Sequence, residues 1–394
     1  MSAEGEIDIQ AGRALFEDGQ DFTVGLEEEF ALLDPQHLGL VPRYPELASA
    51  ALEDPLLAES VSGELISSEI EIRSGRGESL ADAIRRQNEY RRALFRLAGE
   101  HGVALGATGT HPWSPYLEQP IIDTEHYHRV EDGLKWVAWR NNTFSLHVHM
   151  GVRGADRAVR VCDRLRPVLP VLLAISANSP FLDGRDSGLA SVRSQTFTRS
   201  FPRCGVPDPF GDWRNYADYI DLLVRTRSIV EYTQVWWSVR PHLSFGTVEV
   251  RICDAQNTAE DSDALAALVV ACMAQAVLEV DADEDQAGLM PSRLIEENLW
   301  RAIRYGLDGS LLDFSDPARP EAYPATEAAA RLLQWSEPAR RELGIDVPLP
   351  ISSGTQQQRR LLAEAGSLEQ AYARIVNDTR DSYAAAGTAE EVTG

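Results

Sequence analysis

Four short segments of the chain carry acidic or histidine side chains at every second position, with apolar residues between them. They are residues 25–30, 68–73, 145–150 and 247–252. Because side chains alternate across a β-strand with a period of two, each segment predicts a strand with one charged and one apolar face. Only Glu28 interrupts the apolar faces.

The charged faces would meet if the four strands shared one sheet. They carry Glu27, Glu29, Glu69, Glu71, Arg73, His147, His149, Glu249 and Arg251. Carboxylates at such density repel one another unless protons or cations lie between them. Oxygen ligands select Mg²⁺ or Mn²⁺, and one histidine among carboxylates is compatible with either metal. The pattern therefore predicts an oxygen-rich site for more than one metal ion.

The remaining pattern predicts an α+β fold, with a mainly antiparallel sheet backed by helices. Strands and helices do not alternate strictly, and strands with one polar face are typical of antiparallel sheets. Helical spacing or capping signals occur at residues 79–97, 156–177, 215–231, 261–280 and 291–305. The second of these ranges contains two prolines, which should break or kink the helix.

The chain of 394 residues is expected to form one catalytic domain over residues 21–383. Residues 1–20 are predicted to be a weakly ordered lead-in, and residues 384–394 a disordered tail.

Charge and composition narrow the partners and the compartment. The 37 basic and 61 acidic residues give a net charge of −24, which opposes nonspecific binding to nucleic acid or to an anionic membrane. The most apolar stretch, residues 265–280, is too short to span a bilayer and predicts a buried helix. No signal peptide is evident, and the four cysteines show no metal-binding or redox spacing. We therefore expect a cytoplasmic protein with no membrane or nucleic-acid partner.

Any bound nucleotide would have to be held by metals and arginines. The single lysine, Lys135, lies in no phosphate-binding loop, and no glycine-rich dinucleotide motif follows a strand. The arginine candidates are Arg73, Arg193, Arg199, Arg203, Arg240, Arg251, Arg301 and Arg304. The polar, arginine-rich residues 191–205 are predicted to be a loop, either over the site as a lid or as a long surface connection.

Five motifs in order resemble a known family. They are Gly-Leu-Glu-Glu-Glu-Phe at 25–30, His-Val-His-Met-Gly at 147–151, Arg-Pro-His at 240–242, Phe-Gly-Thr-Val-Glu-Val-Arg at 245–251 and Trp-Arg-Ala-Ile-Arg-Tyr-Gly at 300–306. Together they resemble the bacterial ATP-dependent carboxylate–amine ligases related to type 2 glutamate–cysteine ligase. The resemblance extends from about residue 22 to about residue 379.

The resemblance implies a glutamine-synthetase-like catalytic fold, in which six mainly antiparallel strands form a funnel, and it suggests a homodimer. It also implies that ATP, with Mg²⁺ or Mn²⁺, activates a carboxylate such as the γ-carboxylate of glutamate as an acyl phosphate, which an amine then attacks. The metal ligands implied by it are Glu27, Glu29, Glu64, Glu71, His147 and Glu249. Glu27, Glu249 and Arg251 are the implied catalytic residues, and Arg240, Arg251, Arg301 and His149 are the implied nucleotide-binding residues.

Two other functions remain open from the residues alone. A catalytically weak member of such a family could bind a nucleotide or metabolite as a sensor. A His-x-His pair can also serve a metallo-hydrolase or an oxygenase that holds zinc or iron. The amine acceptor is not determined by the sequence, although cysteine is the default.

Overall fold

The computed structural model describes residues 8–282, 290–314, 321–349 and 352–388. The helices are α1 Ile9–Glu17, α2 Tyr44–Ala51, α3 Leu80–Glu100, α4 Glu125–Leu134, α5 Trp136–Trp139, α6 Ala155–Leu165, α7 Leu169–Ser176, α8 Val192–Ser200, α9 Trp213–Arg225, α10 Ala259–Asp281, α11 Ser292–Tyr305, α12 Ala325–Trp335, α13 Glu337–Leu343, α14 Gly354–Ala365 and α15 Leu368–Ala384. The strands are β1 Val24–Leu33, β2 Val61–Ser62, β3 Glu69–Arg73, β4 Ala104–Gly106, β5 Ser145–Gly151, β6 Phe181–Leu182, β7 Arg185–Asp186, β8 Cys204–Gly205, β9 Trp236–Trp237, β10 Val239–His242, β11 Thr247–Asp254, β12 Ser310–Asp313 and β13 Glu321–Pro324.

The main sheet unites all four predicted strands. Its order is β10-β11-β5-β1-β3-β2, and β4 pairs with the end of β1. These pairings are all antiparallel, as the one-sided strands predicted. The sheet has seven strands where six were expected. Pro241, which has no backbone N–H to donate, lies in the edge strand β10, where this causes least loss.

The register of the sheet brings the charged residues into rows. Glu27 on β1 lies opposite His147 on β5 and Arg73 on β3. Glu29 lies opposite Glu71 on β3. Because directly opposed residues in an antiparallel pair share one face, these side chains are immediate neighbours.

Strand β11 completes the rows but contains an irregularity. Glu249 lies opposite His149, and the register shifts by one residue between Val250 and Cys253. A bulge of this kind changes the direction of a side chain within it. The bulge contains Arg251, which reaches His147 although it does not lie directly opposite it.

The opposite, apolar face of the sheet packs against helices. Leu26, Leu146, Val148, Val250 and Ile252 are each buried there in one core cluster, together with residues of α6, α7 and α10. Toward the C-terminal end of β1, the apolar face of β1 and β3 packs against α3. Helices α3, α6, α7 and α10 therefore cover the apolar side of the sheet, whereas α15 packs on the other side near the end of β1, at Ala31 and Leu33.

Helix α10 is the one described helix long and apolar enough to cross a membrane by length and composition alone. Its most apolar stretch is 78% buried inside the protein, as expected of a core helix. The sequence prediction of a buried helix there is confirmed.

The predicted helices are present, with shifted ends. Ser79 caps α3 by accepting a hydrogen bond from the Asp82 N–H, as its sequence signal predicts. The helix predicted at 156–177 is divided by a 3₁₀ turn at Arg166–Val168, where Pro167 lies, before α7 begins.

The predicted lead-in and tail differ from the structure where residues are described. Residues 9–17 form α1, whose Phe16 is fully buried and packs edge-on against Trp213. At the other end Ala386 is buried, so the packed chain continues a little past residue 383. Residues 1–7 and 389–394 lie outside the described ranges.

The prediction of a loop at residues 191–205 is wrong. Ser191 caps α8 through the Ser194 N–H, and Cys204–Gly205 form β8, a short parallel pair with β9. Serine, threonine and phenylalanine have weak intrinsic helix preference, so the local sequence did not indicate this helix. Burial of Val192 and Arg193 against the sheet stabilises it instead.

Candidate active site

A cavity of about 460 Å³ lies on the charged face of the sheet. The strands form its floor, and α4, α8 and the 3₁₀ turn Tyr232–Gln234 contribute walls. Of the sequence-predicted site residues, those that line the cavity are Glu27, Glu29, Glu64, Glu71, His147, Arg240, Glu249 and Arg251.

Three of these side chains are placed to share a cation. One potential ligand atom from each of Glu27, His147 and Glu249 lies within 4.8 Å of the others. Two carboxylates and an imidazole form a suitable ligand set for Mg²⁺ or Mn²⁺.

The hydrogen bonds of His147 show which nitrogen can serve as a ligand. The Ser145 hydroxyl donates to Glu29 Oε2 at 2.6 Å, so it must accept from His147 Nε2, which lies 2.8 Å away. Nδ1 of His147 is then an acceptor, 3.2 Å from the Oε2 acceptor of Glu27 and 3.5 Å from the Arg251 Nη1 donor. Burial and Arg251 both lower the pKa of His147, which favours this neutral form. Two facing acceptors at this distance favour a cation between them, so the residues fit a divalent metal.

Two arginines flank the same cluster. Arg240 Nε donates to Glu249 Oε2 at 2.5 Å, and its Nη1 donates to the carbonyls of Thr233 and Val235. Arg251 Nη1 donates to Glu249 Oε1. Burial alone would raise the pKa of Glu249, but these two cations hold it well below its ordinary value. Arg251 Nε is buried without a hydrogen-bond partner among the described residues, so it can donate to a ligand.

A second acidic cluster adjoins the first. Burial and neighbouring carboxylates raise the pKa of both Glu69 and Glu71 well above the ordinary value. Glu71 is within hydrogen-bond reach of Glu64, and Glu69 is within reach of Glu29. Such a raised pKa favours a proton on the carboxyl, and a nearby cation can replace that proton and leave the carboxylate charged.

His149 occupies a different place from the one expected of a nucleotide ligand. It is absent from the cavity lining, and the rings of His242 and Phe245 pack edge-on against it. Its Nε2 lies 3.4 Å from Glu27 Oε1 and 3.8 Å from Glu249 Oε1. His149 therefore orients and neutralises the carboxylates of Glu27 and Glu249 from outside the cavity.

Arg301 is not brought to the site. On α11 it contacts Glu297 at 3.1 Å and Ser310 at 3.3 Å, and it lines no part of the cavity. Helix α11 carries most of the sequence motif at 300–306, but the Arg301 side chain contacts residues outside the cavity. This placement does not support the expected contact of Arg301 with the nucleotide.

Glu28 also lies apart, on the helix side of the sheet. Its carboxylate accepts hydrogen bonds from Arg91 Nε at 2.7 Å and Arg91 Nη2 at 2.8 Å. Gln87 and Ser262 donate to it as well. This buried ion pair explains the one acidic residue that interrupted the apolar face, and it is structural.

Several cavity residues were not identified as site residues from the sequence. They are Tyr127, Phe197, Phe201, Trp236, His242 and Phe245. Phe197 and Phe201 are four residues apart, so recognition of α8 would have predicted that they share a face. Tyr127 on α4 carries no local signal. His242 and Phe245 stack with ring centroids 4.3 Å apart, which only the β10–β11 turn brings about.

Comparisons with known proteins identify the family. Residues 23–377 match the sequence model of "Glutamate-cysteine ligase family 2 (GCS2)". A protein of Rubrobacter xylanophilus named "Putative glutamate--cysteine ligase 2-3" is 39% identical over 355 residues, which cover 88% of this chain and 94% of that protein. A "Putative glutamate--cysteine ligase 2" of Sorangium cellulosum is 38% identical, over 89% of this chain and 91% of that protein.

Solved structures share the fold at low identity. The glutamate–cysteine ligase of Francisella tularensis, in complex with AMP, has a TM-score of 0.62 at 13% identity and covers 95% of both chains. A bifunctional glutathione synthetase from Pasteurella multocida has a TM-score of 0.64 at 14% identity, over 95% of this chain and 54% of that one. The expected glutamine-synthetase-like α+β fold is confirmed. The chain therefore belongs to glutamate–cysteine ligase family 2, whose members are carboxylate–amine ligases.

Proposed function

We propose that the protein uses ATP to activate a carboxylate, the γ-carboxylate of glutamate, as an acyl phosphate and joins it to an amine. The observation that carries the proposal is the cluster of Glu27, His147 and Glu249 with Arg240 and Arg251 beside it. Metal ligands and fixed cations at one locus are what phosphoryl transfer requires.

The chain's own residues would divide the work. Glu27, His147 and Glu249 would hold one Mg²⁺ or Mn²⁺, and Glu29, Glu64 and Glu71 would hold another. Such ions would supply positive charge that offsets the negative charge developing during transfer. The free Nε of Arg251 would donate to the transferring phosphoryl group. Arg240, tied to Glu249 and to two carbonyls, would keep that carboxylate oriented.

Water must be kept from an acyl phosphate, which hydrolyses readily. The cavity wall opposite the strands carries Tyr127, Phe197 and Phe201, whose rings limit access of water. That residues 191–205 close over the site as a lid stays a prediction; the moving element would then be helix α8 and not a loop. The cytoplasmic location and the homodimer also remain predictions.

The experiment is an assay of ADP release from ATP with Mg²⁺, glutamate and a panel of amines that includes cysteine. We expect release to require Mg²⁺ and both co-substrates, and mass spectrometry to find the amide. Glu27→Gln should lower turnover by about 100-fold or more, because it removes a metal-ligand charge. Glu27 suits this test better than Glu249, whose carboxylate also compensates two buried arginines.

Other outcomes would identify the alternatives. Nucleotide binding without turnover across the whole panel would contradict the ligase and indicate a sensor. Tightly held zinc or iron, together with no ATP binding, would indicate a His-x-His metallo-hydrolase or oxygenase instead. Full activity of Glu27→Gln would refute the assignment of the metal ligands.

A further inference from the structure

Two buried side chains at one end of the cavity each have an unsatisfied polar atom. Glu69, 1% exposed, has no hydrogen-bond partner for Oε2 among the described residues, and Arg193, 5% exposed, has none for Nε. Both line the cavity. An unsatisfied buried polar group costs about 1–3 kcal/mol, and more when it is charged. Two such groups in one cavity wall indicate a polar ligand.

Arg193 is held rigidly for such a role. Its Nη1 donates to the Ile252 carbonyl and its Nη2 to the Arg251 carbonyl, both at 3.2 Å. Nη1 also lies 3.5 Å from Asp254 Oδ1. These contacts occupy the outer nitrogens of the guanidinium and leave Nε as the free donor. Arg193 acts electrostatically on Glu69, so the two groups lie within range of one ligand.

The strand register places Glu69 next to the second acidic cluster. Glu69 lies opposite Ala31, whereas Glu71 lies opposite Glu29 and Arg73 opposite Glu27. Each step of two residues along a strand is about 7 Å. The Glu69 carboxyl is nevertheless within hydrogen-bond reach of Glu29, so a ligand that contacts Glu69 lies directly beside the second acidic cluster.

We propose that Glu69 and Arg193 bind the α-ammonium and the α-carboxylate of the amino acid whose distal carboxylate is activated. This inference rests on the proposed function and names the recognition residues within it. A carboxylate acceptor beside a guanidinium donor complements a zwitterion. Glu69 and Arg193 are then specificity residues.

The test is equilibrium binding by calorimetry, with the full chain, Mg²⁺ and a non-hydrolysable ATP analogue present. The probes are glutamate, glutarate, which lacks the α-amino group, and 4-aminobutyrate, which lacks the α-carboxylate. We expect the unmodified protein to prefer glutamate over each analogue by about 10-fold or more, as hydrogen bonds to charged groups require.

Variants assign each half of the head group. Glu69→Gln should weaken glutamate by about 10-fold or more and leave glutarate within about 3-fold, which removes the preference between the two. Arg193→Lys keeps the positive charge but not the fixed Nε donor, and it should weaken glutamate more than 4-aminobutyrate. The matched control is Glu231→Gln, an acidic cavity residue paired with His126, which should leave the glutamate-to-glutarate ratio unchanged.

A metal titration gives an independent readout. Mn²⁺ binding by Glu69→Gln should match that of the unmodified protein, since the inference makes Glu69 a substrate residue. Loss of Mn²⁺ binding would make Glu69 a metal ligand and overturn the inference. So would equal affinity of the unmodified protein for glutamate and glutarate, or no measurable binding of glutamate.

The outcomes separate this inference from the proposed function. If the protein ligates glutamate but Glu69→Gln keeps the full preference for glutamate over glutarate, the inference about Glu69 and Arg193 is overturned and the proposed ligase function is not. The expected binding preferences in the absence of any ADP release would overturn the ligase proposal and leave the recognition site in place.

Discussion

Three consecutive glutamates on β1 should respond differently to the same substitution, and Glu28 gives the sharpest test. Its carboxylate is buried and bound to Arg91, whose side chain is fully buried. Glu28→Gln keeps the shape but removes the charge. Loss of one partner of a buried ion pair costs about 3–5 kcal/mol, because the other charge is left uncompensated.

The structure places this variant at the lower end of that range. Arg91 Nη1 also donates to Asp263 at 2.6 Å and to Asn88 at 2.5 Å, so the guanidinium keeps part of its compensation. We therefore expect a loss of about 3 kcal/mol. With an unfolding entropy of about 2.1 cal/mol/K per residue, 394 residues give about 0.8 kcal/mol/K, so the unfolding temperature should fall by about 4 °C.

The assay is thermal unfolding followed by circular dichroism, with turnover measured on the same samples at a temperature at which both proteins are folded. Glu28→Gln should unfold earlier and keep its ligase activity. Glu27→Gln is the matched control from the other face of the strand, and it should lose activity with a smaller change in stability. Arg91→Met combined with Glu28→Leu should cost less than the sum of the single changes, because neither charge is then left alone.

The opposite result would refute the reasoning. If Glu28→Gln unfolds at the temperature of the unmodified protein but loses turnover, Glu28 belongs to the catalytic face and the register of β1 is different. If the double variant is as damaging as the sum of the two single ones, the pair does not interact as the contacts indicate.

Three further predictions concern the cavity. Mg²⁺ should raise the unfolding temperature more at about pH 8 than at about pH 5.5. The raised pKa of Glu71 means that this carboxyl favours the folded protein below the ordinary value of 4.5. That contribution is lost as pH rises through its folded value, where Mg²⁺ can replace the proton. A larger effect at the lower pH, seen by scanning fluorimetry, would contradict the prediction. Arg301→Gln should leave the KM for ATP within about 2-fold, since Arg301 contacts Glu297 and Ser310 outside the cavity. A rise of about 10-fold or more in the KM, measured in steady-state assays, would show that Arg301 does contact the nucleotide. Arg251→Lys should lower kcat with little change in the KM for ATP, because its free donor acts on the group in transfer; an unchanged kcat would refute that role.

The local sequence was sufficient to predict the strands that form the site. Period-two alternation gave the face of Glu27, Glu29, Glu71, His147 and Glu249, and the structure brings all five to one cavity. The reason is that the direction of a side chain on a strand depends only on its position in that strand. The capping signal of α3 was readable for the same local reason.

Local sequence failed where a side chain's environment depends on distant segments. His149 shares a face with His147, yet His242 and Phe245 cover it, so it contacts the carboxylates and not the cavity. Helix α8 is rich in serine, threonine and phenylalanine, which are weak helix formers, so its sequence predicted a loop. Its Arg193 instead contacts carbonyls of β11.

The sequence by itself determined that this chain carries an acidic sheet face in need of cations, because strand alternation and charge repulsion are properties of short segments. Its motifs likewise identified the family. Only the tertiary structure decided which carboxylates face the cavity, since strand order and register bring β1, β3, β5 and β11 together. It also decided that Glu28 pairs with Arg91, a partner 63 residues away that no local pattern could indicate. Burial and opposite charge act through space, so their consequences appear only when the whole chain has folded.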